Sequence, residues 1–283
     1  DLLLKGATLH TLEYVLDPVS LAPTFATSKG DILIEAGKIV AVGPEINPIR
    51  AVPTMDASSW HVMPGIIDAH SHLALSSVNE GTVSISAECR IGDMIEAEDV
   101  GIFRAAAGGC AVAQSLHGSA NPIGGQAAVW EMDYSRQSIA DLLVPGAKQG
   151  IKFALGENVK QSNWDNAGKR FPNSRMGVEA VYRRAFTAAE DYAKQATQHS
   201  QGVNPDFRRD VRLETLAAIL NNDIHIQCHS YRADEILMFL KVCRDFGIER
   251  PTFQHVLEGY KVAPELAKQG AMASTFSDWW AYK

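Results

Sequence analysis

The sequence predicts an α/β fold, a closed (β/α)8 barrel behind a small N-terminal β module. Three observations carry this. The opening stretch, residues 1–60, reads as strands and turns; apolar runs of strand length then alternate with longer stretches of helical period; and polar residues and histidines recur at the C-terminal ends of those runs. Strand–helix alternation implies a parallel sheet. A (β/α)8 barrel gathers its chemistry at the C-terminal ends of its strands, which favours the closed form over an open sheet.

In order along the chain, residues 2–4 lead through Lys5-Gly6 to a second short run at 7–11. Residues 32–35 and 39–43 flank Ala36-Gly37-Lys38, a hairpin signal. Pro44, Pro48, Pro53 and the polar run 56–59 close the module. The barrel is expected over 61–283, with strands at 62–68, 110–116, 151–155, 224–228, 252–256 and 271–276, and helices clearest at 177–198 and 233–246.

Composition limits the function. With 283 residues, 46% of them hydrophobic, the chain fits one barrel-sized domain plus a smaller attachment. A formal net charge of −7 without any Lys/Arg run argues against wholesale binding of nucleic acid or anionic membrane. Cys89, Cys110, Cys228 and Cys243 form no C-x-x-C pair and read as reduced, mostly buried thiols, pointing to a reducing, cytoplasmic-type compartment. No apolar run approaches the ~18–20 residues of a membrane span, and no signal peptide is visible. The chain opens at Asp1 without a methionine, which leaves an upstream segment, and export, open.

The strongest local signal is Gly65-Ile66-Ile67-Asp68-Ala69-His70-Ser71-His72. Residues two apart on a strand share a face, so both imidazoles can reach one cation at about 2.0–2.1 Å. A bare H-x-H is more often a solvated pair; an apolar strand headed by Pro-Gly, with more histidines at later strand ends, shifts the reading to metal. His229 ends the run 224–229, whereas His225 at its start reads as structural. His255 lies near the end of 252–256. Lys152, inside an apolar strand, is costly to bury as an ammonium. It reads either as a snorkelling rim lysine or as a lysine converted by CO2 into a carbamate that bridges two metals, with Glu157 as a rival oxygen ligand. Beyond the metal, His117 and Asn121, beside the loop Gly124-Gly125-Gln126, are candidates for substrate contact. Arg232 is a candidate for a substrate carboxylate, or equally a surface ion-pair partner.

At these motifs, together with Asn121-Pro122-Ile123-Gly124-Gly125-Gln126, Gly150-Ile151-Lys152-Phe153-Ala154-Leu155-Gly156-Glu157 and His229-Ser230-Tyr231-Arg232-Ala233-Asp234-Glu235, the chain resembles the amidohydrolase superfamily, in the branch related to imidazolonepropionase and to metal-dependent dipeptidases and prolidases. The resemblance implies a TIM-like barrel beside a small β-sandwich built from both chain ends. It implies one or two divalent ions, zinc foremost, with His70 and His72 on one, His229 and His255 on a second, and a carboxylated Lys152 bridging. It also implies a catalytic aspartate after the eighth strand; on this count the chain ends after the seventh, so that residue, the last strand and the rest of the sandwich are expected beyond Lys283, with Asp278 too early to be it. The expected reaction is attack of metal-activated water on an amide, peptide-like or cyclic-amide C–N bond, a carboxylate handing the proton to the leaving nitrogen. The partner is a small-molecule substrate, and a homo-oligomer is allowed. The alternatives are a deaminase of the same superfamily, in which a single metal makes Lys152 dispensable, and an inactive binding protein that keeps the fold.

Overall fold

The computed structural model describes residues 1–17, 23–136, 138–160 and 170–276. Asp278 lies outside the described residues. The chain divides into two compact units, Asp1–Ile66 and Ile67–Lys283.

The first unit is a five-stranded sheet. β1 (Leu2–Leu16), β2 (Pro23–Glu35), β3 (Lys38–Gly43) and β4 (Thr54–Asp56) run in the order β3-β2-β1-β4, and β5 (His61–Val62) pairs with β1. Residues 5–6 are no turn: Gly6 takes φ +76° and the register slips between Leu4 and Ala7, so one strand passes through a bulge where two were expected. Ala36-Gly37 forms the expected hairpin, closing Glu35 on Lys38. Ala7, Leu9, Ile32 and Ala57 make a small core.

Asp31 is only 2% exposed and ties this sheet together, accepting from the Gly6 N–H (2.8 Å) and the Ile46 N–H (3.0 Å). Burial pushes its carboxyl up, but those two donors, with Lys5 nearby, more than offset it and hold it below the usual aspartate value. A depressed folded value stabilises fully above the unfolded pKa of about 3.9 and is lost as pH falls through the folded value. Asp31→Ala is therefore expected to cost about 1–3 kcal/mol at pH 7, because two part-buried N–H groups lose their acceptor. Urea titrations at pH 7 and pH 3 should show the gap between wild type and variant closing at the acid end.

The second unit is α/β with mixed sheets. Pro64 and Gly65 break the expected strand at 62–68, since proline lacks the donor a ladder needs; Val62 stays on β5 and a new strand, β6 (Ile66–Ser71), begins after them. β6 joins β7 (Cys110–Ser115) and β9 (Ala128–Glu131) in one sheet. The other has the order β13 (Met272–Ser274), β12 (Thr252–His255), β11 (His225–Ser230), β10 (Gly150–Ala154), β8 (Ile123–Gln126). β10 to β13 are parallel, whereas β8 lies antiparallel on β10 and β9 antiparallel on β7. The segment after His117, read as a loop, is thus largely strand, and strict strand–helix alternation fails there.

The helices are α1 (Val100–Ala107), α2 (Ile139–Leu142), α3 (Arg175–Ser200), α4 (Val211–Leu220), α5 (Ala233–Asp245) and α6 (Ala263–Lys268). The two longest match the periods read at 177–198 and 233–246. Asp210 caps α4 through the Arg212 and Leu213 N–H groups. α3 and α5 bury their apolar stripes on the β10–β12 face: Phe153 packs on Tyr182 (5.7 Å between ring centres), Phe186 (6.0 Å) and Phe239 (5.8 Å). By strand alternation Lys152 then belongs to the opposite face, where the candidate site lies.

Candidate metal centre

Four histidines converge. The ring centre of His70 lies 5.2 Å from that of His72 and 5.0 Å from that of His255, and His255 lies 4.7 Å from His229. β6 supplies His70, with His72 just past its end; β11 supplies His229 and β12 His255. Tyr231 packs on His229 (4.5 Å) and Phe276 stacks on His255 (5.0 Å). As the rotamers stand, no group of three or more His, Cys, Asp or Glu side chains among the described residues is set to hold a metal ion.

The donor set nonetheless has the chemistry of a metal site. Burial, then the nearby Lys152, pushes His70 down to about 3, so its imidazole is neutral at pH 7 and keeps a lone pair. His72 is lowered by the same two causes, with the Leu116 backbone acting in the opposite direction. Lys152 is 1% exposed, its Nζ has no hydrogen-bond partner among the described residues, and burial pushes its ammonium down to about 8. A buried amine with no hydrogen-bond partner among the described residues is costly as a cation, and an added anionic group or its neutral form would relieve that cost.

The ligand candidates His70, His72, His229 and His255 gather as the sequence spacing suggested, with Lys152 electrostatically close to His70 and His72. Glu157, the rival to Lys152, is largely exposed and bonds Lys160 at 2.5 Å. His117 is buried, but its Nε2 accepts from the Glu80 N–H and its Nδ1 donates to the Gly118 carbonyl, so neither nitrogen is left for substrate as it stands. Asn121 donates through Nδ2 to the carbonyls of Glu80 and Val83. Both side chains thus organise the segment from Glu80 to Ser86. The glycines beside them serve the same packing: a Cβ on Gly124 would lie 2.8 Å from His117 Nδ1. Arg232 is exposed, its guanidinium bonded to Asp234 at 3.0 and 3.2 Å.

Sequence reasoning missed Gln254, Gln227, Tyr231 and Phe276 as part of this centre. Alternation also places His255 on the same face as Phe253, towards the helices. It reaches the cluster because His255 (φ +64°) and Val256 (φ +45°) both turn left-handed at the strand end. Two successive non-glycine residues in that region cost of order 1–3 kcal/mol each, and the surrounding packing must hold them.

No family model matches the chain. It is 27% identical over 266 residues to the amidohydrolase tasK of Hapsidospora irregularis, across 84% of this chain and 27% of that protein, so it spans about a quarter of that relative's length. A shorter stretch of 76 residues is 37% identical to the adenine deaminase of Deinococcus radiodurans, 27% of this chain and 12% of that one. In structure it resembles an amidohydrolase from Thermotoga maritima MSB8, with a TM-score of 0.83 and 29% identity over 98% of this chain and 70% of that one. No helix among the described residues is long and apolar enough to cross a membrane. The histidine cluster and these likenesses agree: what this chain is similar to, in sequence and in structure, is the amidohydrolase superfamily.

Proposed function

We propose that the complete protein is a metal-dependent hydrolase of C–N bonds in small amides, peptide-like compounds or cyclic amides. The observation that carries this is the convergence of His70, His72, His229 and His255, with the buried amine of Lys152, which has no hydrogen-bond partner among the described residues, electrostatically close to His70 and His72. Relatives named as amidohydrolases support the reaction class. Parallel β10–β13, with His229 and His255 towards the C-terminal ends of β11 and β12, support a (β/α)8 barrel, and in this reading the N-terminal sheet contributes to a small β-sandwich.

In this reading His70 and His72 hold one divalent ion and His229 and His255 a second, zinc being the first choice for an imidazole-rich site. When bound, such an ion supplies Lewis acidity and makes water nucleophilic at neutral pH. The Lys152 amine, about half neutral near pH 8, would add to CO2: its nitrogen would form a bond to carbon, one proton would leave to solvent, and the carbamate anion would supply an oxygen ligand beside the histidines. Tyr231 and Phe276 flank His229 and His255 and restrict water around them. His117 and the Asn121 Nδ2 position the 80–86 segment, and the Asn121 Oδ1, which has no hydrogen-bond partner among the described residues, is the atom of the two left for substrate.

Assaying the complete protein with zinc on N-acyl amino acids, dipeptides, cyclic imides and aminopurines tests the proposal. Hydrolysis in one of the first three classes is the expected result, to a carboxylate and an amine for the N-acyl amino acids and dipeptides and to a ring-opened carboxylate bearing an amide for the cyclic imides. Ammonia released from aminopurines alone would replace it with deamination, the reading favoured by the stretch similar to an adenine deaminase. Turnover of nothing by metal-loaded protein would sink both, in favour of a binding protein that keeps the fold.

A further inference from the structure

Gln227 and Gln254 sit on neighbouring parallel strands, 8% and 1% exposed. Burying an amide is costly unless its polar atoms are matched, and these two match each other: Gln254 Nε2 donates to Gln227 Oε1 at 2.8 Å. The other end of Gln254 faces the metal centre, where its Oε1 accepts from His70 Nδ1 at 2.9 Å. Gln254 is also pinned through its backbone, its carbonyl accepting from Ser230 Oγ at 3.2 Å. The side chain therefore has little freedom to turn away. On β12 it lies on the same face as Thr252, while its register partner on β11 is His229.

The consequence concerns the imidazole. A neutral histidine carries one proton, on Nδ1 or on Nε2, and the nitrogen without it holds the lone pair. A carbonyl oxygen facing Nδ1 accepts only from the N–H form. We propose that Gln254, braced by Gln227, is the positioning residue that fixes His70 as the Nδ1–H tautomer and so presents its Nε2 lone pair to the metal. This rests on the metal reading given above. Partners of this kind, one shell behind a ligand, typically change metal affinity 10–100-fold when removed.

The test uses the complete protein with Gln254→Leu, Gln254→Glu and Gln227→Leu. Histidine 15N spectra of metal-free protein report the tautomer, and competition with a chromophoric chelator reports zinc affinity. Expected are an Nδ1–H signal for His70 in wild type and its decline in Gln254→Leu, with zinc affinity falling about 10–100-fold. Gln254→Glu keeps an oxygen acceptor at Nδ1 and should retain both the tautomer and most of the affinity; Gln227→Leu should show a weaker version of the Gln254→Leu effect. A folded Gln254→Leu protein with unchanged tautomer and unchanged zinc affinity would overturn the inference, as would a Gln254→Glu variant no better than Gln254→Leu. Wild type that takes up no zinc, while its His70 tautomer still follows Gln254, would instead mark failure of the underlying metal reading.

Discussion

Alanine at both His70 and His72 is expected to strip the complete protein of at least one equivalent of divalent metal and of about three decades of turnover. The magnitude follows from what the ion contributes: several kcal/mol of charge stabilisation, at about 1.4 kcal/mol per decade. The substitutions remove two imidazoles at the end of β6, neither of them fully buried although both are partly shielded from water by the cluster, so they create no large cavity and the fold should survive. Elemental analysis of protein purified without chelator, paired with circular dichroism, reads both effects. Equal metal content in wild type and variant would sink the assignment, whatever happened to activity.

Lys152→Met is the second large effect, and it separates two roles that a simple activity assay confuses. If Lys152 were only a buried amine, replacing an unpartnered cation by an apolar chain of similar volume should leave stability unchanged or raise it, and leave turnover intact. If it carries a carbamate, stability should again hold, but one metal equivalent and about 10³-fold in kcat should go with the bridging anion. Carbon NMR after exchange with labelled bicarbonate should show the carbamate in wild type and nothing in the variant. A retained second metal with full activity would hand the oxygen-ligand role to Glu157, despite its exposure and its bond to Lys160.

Much of this was legible in the sequence for definite reasons. Apolar runs of strand length marked β7, β10, β11 and β12, and helical periods marked α3 and α5, because burial on one face imposes those spacings. His70 and His72 were legible because a two-residue spacing on a strand is a local geometric fact. The antiparallel strands β8 and β9 were not, since Gly124-Gly125 reads as a turn until one sees that the His117 ring occupies the space their side chains would need. Gln254 was invisible for a different reason. Nothing local distinguishes a glutamine that faces a histidine 184 positions earlier from one that faces water. His117 and Asn121 stood beside the expected site and were read as reaching into it; the two His117 nitrogens and the Asn121 Nδ2 are engaged by Gly118 and the 80–86 segment, whereas the Asn121 Oδ1 has no hydrogen-bond partner among the described residues.

The left-handed pair His255-Val256 has an evolutionary consequence. A sequence drifting under selection for stability alone has an easy gain there, because glycine adopts that backbone without steric penalty. At position 255 that gain would delete the imidazole that meets both His70 and His229. The site thus sits where improving the scaffold and keeping the chemistry pull in opposite directions. Laboratory thermostabilisation of this protein should leave those two positions out of its libraries, or it will select well-folded molecules with a dismantled centre.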